Sequence, residues 1–557
     1  MYYKITFSLS VLFCFISFQL ACGQQQVAGK SEVLYNGIQL PEIWPPRNID
    51  PTSNEPIVVP YLAEKPKVID ISVGRQLFVD DFLIERSTLK KVYHKAKKWE
   101  GNPVLLPSTL WEKEQSLGGN RDVVYLGHGG VFYDPSEDLY KMFYTAGWRG
   151  GLALATSKDL LNWDKPALQS DGSNLLLPKG RYNAGEDNAL WLDLNTKDPK
   201  QKIKMLTDRR TNDSLSGRHS LLISDGKTWS QSIQVNANYG DYSSFFYNPF
   251  RSKWVFSIKK SDEGPRSRMY LESDEFLDGW DWKHGSVFWT RTDKLDIPDL
   301  VIRDIPQLYS LNAVAYESIM LGEFYLHLGP KNEIANANKE PKITELGLGF
   351  SRDGFHWLRP SREAFIEAAR KEGAWDKGYI HGATGVCLVK ADSLYFPYTG
   401  YSGLASDGFR GMYTGASIGM ATLRRDGFVS LKAEQIGEIV TMPLQFTGKY
   451  LFVNVNCPGG SLRAEILDNN DKIIPGYELQ DCLIVKSNKT LHRIEWKNKK
   501  DLRGLQQKRI KIRFVLEKGD LYSFWVTPDI YGASYGYLGG GSGGINGVID
   551  TKGLLNY

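Results

Sequence analysis

The chain has 557 residues, 42% hydrophobic and 24% charged, with a formal net charge of +4. These ordinary globular values exclude a disordered or collagen-like chain, and the lack of a clustered basic run argues against nucleic acid as a partner. Aromatic residues make up 12% and glycine fills 54 positions, a mixture that favours strands joined by tight turns over a helical bundle.

From the N-terminus, Lys4 precedes a single apolar run, Ile5 to Leu20, short for a membrane span and suited to an export signal. The run ends at Gln19-Leu20-Ala21-Cys22-Gly23. This resembles a bacterial lipoprotein cleavage site, with Cys22 as the lipidated residue and Gln19 standing where leucine is usual. The expectation is a signal peptide over residues 1–22 and a Gln-, Pro- and Asn-rich tether over 23–66. The chain would then be exported, periplasmic or at the cell surface, and touch a membrane only through its lipid anchor. Cys387 lies in an apolar run and reads as a buried thiol, while Cys457 and Cys482 could pair in an oxidising compartment. No CxxC and no zinc-spaced histidine pair occurs, so neither a metal site nor a cofactor is expected.

A repeated unit then fills residues 67–431. An apolar strand ends in an Asp or Asn turn, a second apolar strand follows, and a Ser-Asp element closes on Trp. The copies run from Val131-Phe132-Tyr133-Asp134 to Trp163, from Ala189-Leu190-Trp191-Leu192-Asp193 to Trp229, and from Phe245-Phe246-Tyr247-Asn248 to Trp280. A fourth runs from Ala313 to Trp357, and a fifth from Gly385 through Arg425-Asp426-Gly427-Phe428. Five antiparallel sheets repeated radially make a five-bladed β-propeller. Residues 440–527 have short alternating strands with polar turns, the pattern of an antiparallel β-sandwich. The Gly-rich tail over 528–557 reads as mobile. The fold class is therefore all-β, a propeller followed by a C-terminal sandwich.

Three segments carry a family resemblance: Gln76-Leu77-Phe78-Val79-Asp80-Asp81-Phe82-Leu83-Ile84-Glu85, Gly240 to Pro249, and Phe350 to Trp357. They resemble five-bladed propeller glycoside hydrolases of the invertase and arabinanase type, although the Trp-x-Asn-Asp-Pro-Asn-Gly and Glu-Cys motifs of invertases are absent. The resemblance implies carbohydrate as the partner and paired carboxylates in the propeller funnel.

The first strand of each blade lines the axis, so residues at its entrance converge. Those entrances hold His128, Asp187, Asp241, Asn312 with Glu317 farther on, and His381. By the resemblance, Asp187 matches the blade-two carboxylate and Asp241 stands where the acid is usually Glu. His128 replaces the blade-one Asp, which leaves either Asp122 or Glu317 to supply the missing carboxylate, or an altered activity. The expected catalytic set is Asp187, Asp241 and Glu317. Sugar binding is expected from His128, Arg121, Asp122, Arg209, Asn312, His381 and Trp148. The rival expectation is a non-catalytic glycan-binding lipoprotein of the same fold.

Overall fold

The computed structural model describes residues 31–114, 116, 119–178, 188–208, 219–261 and 264–556. Cys22 and the signal segment lie outside them. Five antiparallel sheets follow one another along the chain as blades. Their inner strands include Val131–Asp134, Asn188–Leu192, Ser244–Asn248, Gln307–Glu317 and Gly378–His381. Blade five takes its outermost strand, Lys97–Lys98, from ahead of blade one, which closes the ring. Main-chain bridges His128 to Ala189 and Gly130 to Thr384 tie blade one to its neighbours on both sides.

The sequence repeat is a repeat of turn chemistry. In blades one to three the inner strand ends on a side chain that caps its own turn. Asp134 Oδ1 accepts from Ser136 N at 3.1 Å, Asp193 Oδ1 from Asn195 N at 2.9 Å and Asn248 Oδ1 from Phe250 N at 3.1 Å. The Ser-Asp elements do the same: Asp159, Asp225 and Asp353 each accept from two main-chain N–H groups. Apolar faces on both sides of each blade then bury against the next, in one core running through Phe132, Trp191, Phe245, Trp289 and Phe396.

The C-terminal strands form a ten-stranded sheet around a second core that includes Phe78, Phe82, Leu462, Ile466, Phe514 and Phe524. This module is wider than residues 440–527. It takes Ile69–Asp70, Gln76–Leu77, Ile84–Ser87 and Lys90–Tyr93 from ahead of the propeller, and the long strand Val429–Thr441 behind it. Cys457 and Cys482 are separate buried thiols. No described helix is long and apolar enough to cross a membrane.

Two segments differ from the compositional reading. The described part of the tether is packed: Leu34, Ile38, Leu40 and Tyr61 are buried in the second core, and Tyr35 stacks on Phe250. The Gly-rich tail is packed as well. Tyr537–Leu538 extends blade four as a strand beside Tyr316 and Glu317, and Gly540 N donates to Cys387 O. Glycine serves here for close approach, since a Cβ at Gly540 would stand 2.5 Å from Val131 O.

Candidate active site at the mouth of the propeller

A cavity of about 590 Å³ opens at the end of the axis where the inner strands begin. That is within the usual range for a small-ligand site. Blade three supplies Asp241 and Tyr242 from the turn before its inner strand, Lys259 from its second strand and Arg266 from the turn just before its third. Blade four supplies Gln307 and Tyr309 at the start of its inner strand and Lys342 beside the next. Blade five supplies Tyr379 and the loop residue Tyr413, and blade one the turn residues Trp148 and Arg149.

The walls are aromatic. Trp148 stacks on Tyr413 with centroids 4.1 Å apart, and Tyr379 packs against Tyr413 at 5.5 Å. Arg149, Tyr242 and Tyr379 have φ of 54°, 57° and 53°, a left-handed backbone that bulky residues rarely adopt. Such strain persists only where the surroundings over-determine it, and it is concentrated at binding sites.

Asp241 forms an ion pair with Lys259, which is 3% exposed. Lys342, 2% exposed, donates to Asn332 Oδ1 and Tyr413 Oη, both at 3.1 Å. Burial, reinforced by Arg266 and Lys259 against the opposing pull of Asp241, lowers the Lys342 ammonium to about 7. Behind the wall Arg268 donates to Tyr309 O at 3.2 Å and Tyr242 O at 3.0 Å, and burial brings it down to about 9.

Of the residues expected from the sequence, Asp241 and Trp148 line this cavity. Asp187 and Arg209 lie outside the described residues. Glu317 does not belong to the site. Gln307–Glu317 is one continuous strand, so Glu317 lies ten residues beyond Gln307, about 33 Å away at the usual rise. There it meets Arg425 at 3.0 Å and Arg75 at 3.4 Å. Asn312 is halfway down the same strand, buried, donating to Tyr325 Oη at 2.7 Å. Both misplacements have one cause: the blade-four inner strand starts at Gln307, not near Ala313, and its alternation runs back through Leu311 and Tyr309.

His128 and His381 sit beneath the cavity, fully buried, and support its floor. His128 Nε2 is 2.7 Å from Ser310 Oγ and its ring meets Tyr242 edge-on at 4.8 Å. His381 Nδ1 is 3.0 Å from Tyr242 Oη, and its ring stacks on Tyr309 at 5.8 Å. Burial first, and nearby cations second, push both imidazoles well below their ordinary value, so they stay neutral near pH 7. Arg121 and Asp122 brace a loop instead of touching the cavity. Arg121 Nη1 pairs with Asp407 at 2.7 Å, and Asp122 Oδ2 accepts from Ser406 N at 2.6 Å.

Sequence reasoning missed Lys259, Arg266, Lys342, Tyr309, Tyr379 and Tyr413. Lys259 left one signal, a cation that directly follows the apolar run Trp254 to Ile258 within the same strand. Among the described residues, no group of three or more His, Cys, Asp or Glu is placed to hold a metal ion.

No family model matches the chain, and no curated protein matches it. Solved structures are similar at low identity. A thermostable family-43 glycoside hydrolase is 14% identical, covering 56% of this chain and 94% of its own, with a TM-score of 0.39. A fructofuranosidase from Schwanniomyces occidentalis is 13% identical over 73% of this chain and 97% of its own, with a TM-score of 0.35. A glycosyl hydrolase from Bacteroides ovatus is 11% identical over 60% and 94%, with a TM-score of 0.36. The five blades rest on this chain's own strand pairing.

Proposed function

We propose that the chain is a glycoside hydrolase acting on a poly- or oligosaccharide at the propeller mouth. The observation that carries this reading is a cavity of about 590 Å³ whose wall sets the carboxylate of Asp241 among the rings of Trp148, Tyr309, Tyr379 and Tyr413. Aromatic faces suit the apolar faces of sugar rings, and glycoside hydrolysis needs carboxyl groups flanking the scissile bond. In this reading Asp241 works with Asp187: one protonates the leaving oxygen, the other activates water or attacks the anomeric carbon.

The full chain, incubated with a panel of plant and algal glycans, should release reducing ends. Asp241→Asn and Asp187→Asn should each lower kcat by about 10²–10⁴-fold. Undiminished hydrolysis in both variants would overturn the assignment.

One observation favours the rival reading of a glycan-binding protein: Asp241 is the sole carboxylate among the described lining residues. Saturable binding with no product from any bound glycan would establish that alternative. Export and lipidation at Cys22 are also proposed, supported by the apolar run and the Ala21-Cys22-Gly23 junction. Cys22→Ser should abolish incorporation of labelled palmitate in a bacterial host.

A further inference from the structure

We propose that the cavity selects an anionic saccharide, a glycan whose bound sugar carries a carboxylate or sulfate group, held by Lys342 and Arg266. The proposal rests on the site described above as a glycan site, and it holds whether or not hydrolysis follows.

Among the described lining residues the charge is one-sided: Arg149, Lys259, Arg266 and Lys342 are cationic, and Asp241 alone is acidic. Asp187, Asp262 and Glu263 lie outside that count. Three of the cations converge on one ring: Lys259 Nζ stands 4.3 Å, Arg266 Cζ 5.4 Å and Lys342 Nζ 5.8 Å from the Tyr309 centroid. Asp241 pairs with Lys259. The described partners of the other two are neutral, Gln307 Oε1 for Arg266 at 2.7 Å and Asn332 with Tyr413 for Lys342.

A neutral sugar gives no reason for this arrangement. Hydroxyl groups are recognised by amides, tyrosines and carboxylates without the repulsion of clustered cations, two of which, Lys259 and Lys342, are buried. A carboxylate or sulfate offers two or more oxygens at one point, which a guanidinium and an ammonium can share as charge-assisted hydrogen bonds. The low Lys342 value is the unliganded side of the same balance, because an anion placed there would favour the charged ammonium.

The test is calorimetric binding of the full chain to matched pairs of oligosaccharides. One arm sets uronate oligomers against their carboxyl-reduced forms, and the other sets sulfated galactan oligomers against their desulfated forms. The expected result is that an anionic member binds at least about tenfold more tightly than its neutral partner. Binding should weaken with added salt, and Arg266→Gln and Lys342→Met should remove most of the preference. The arm that responds separates carboxylate from sulfate. Thermal melts check folding, and Arg266→Gln carries the test if Lys342→Met fails to fold. Equal binding of neutral and charged members, or no binding by any anionic member, would overturn the proposal. Anionic binding without turnover would remove the hydrolase reading alone, and hydrolysis confined to neutral glycans would remove this one alone.

Discussion

Lys342 is a lysine placed so that a proton is held only weakly. Facing it are Arg266, Lys259, Asp241, Asn332, the hydroxyl of Tyr413, the Tyr309 and Tyr379 rings, and the charges His327 and His381 would carry if protonated. Both histidines are pushed well below their ordinary value, chiefly by burial, so they do not gain charge near pH 7. With the folded value at about 7 against about 10.4 unfolded, the unfolded chain binds more protons between those limits. This group therefore makes the unliganded fold more stable as pH rises through that window. Affinity for an anionic ligand moves oppositely, strengthening as pH falls through about 7 and Lys342 becomes charged. Calorimetry at pH values about one unit on either side of 7 should show this slope in the wild type, and a flatter one in Lys342→Met. At the floor of the cavity, His128→Gln tests a positioning role. Its imidazole reaches Tyr242 and Ser310, so the variant should raise KM with kcat little changed, whereas a base would cost kcat and impose a pH profile.

The loop between Tyr401 and Ala416 carries Tyr413 into the site and is held from blade one. Gly415 N donates to Arg121 O and Ala416 N to Asp122 O, while Asp122 Oδ2 accepts from Ser406 N. Asp122 has φ of 55°, a conformation that aspartate tolerates better than most residues. Asp122→Ala should therefore loosen the Trp148–Tyr413 stack without unfolding the propeller. The expected outcome is a loss in kcat/KM on the order of ten- to hundredfold, mainly through KM, with a melting temperature that falls only modestly, by the strain of alanine at positive φ, and unfolding that stays cooperative. The strand Gln307–Glu317 shows why element boundaries decide function. Its eleven residues span the propeller, so its two ends serve different ends of the molecule. The repeat motif located its middle, and reading on from there led away from the cavity.

At the opposite end, five separated segments meet in one buried charge network. Arg75 contacts Glu317 at 3.4 Å and Asp426 at 3.1 Å, and Arg425 contacts Glu317 at 3.0 Å and Asp550 at 2.9 Å. Ser523 of the sandwich donates to Asp426 at 2.6 Å. Burial opposes ionisation of Asp426 and Asp550, but the two arginines outweigh it and hold both carboxyls below their ordinary value. Arg425→Met would strand buried carboxylates and should cost about 3–5 kcal/mol, read as a shift in the denaturant midpoint. A chain ending at Thr527 loses Asp550 and the Tyr537–Leu538 strand, and should fail to unfold cooperatively. A chain ending near Leu431 should be insoluble. Val429–Thr441 pairs with Ile510–Thr527, and the second core would be left exposed. A soluble, cooperatively folding truncation of either kind would show that the network and the shared sheet are dispensable.

The sequence by itself determined the blades, because a period-two apolar strand ending in an Asx turn is a local signal, and it recurs. It also placed Asp241 and Trp148, which lie in turns flanking readable strands. The packing of the tail and of residues 31–66 was not legible, since composition reports the chain's own flexibility and not the grooves that receive it. Nor was the cationic wall. Lys259 and Arg266 come from blade three and Lys342 from the approach to a blade-four strand, and only the packing of these two blades brings all three to Tyr309. Local hydrogen bonding and strand periodicity are written residue by residue. The sign of the charge in a cavity is a sum over distant segments, and the tertiary structure performs that sum.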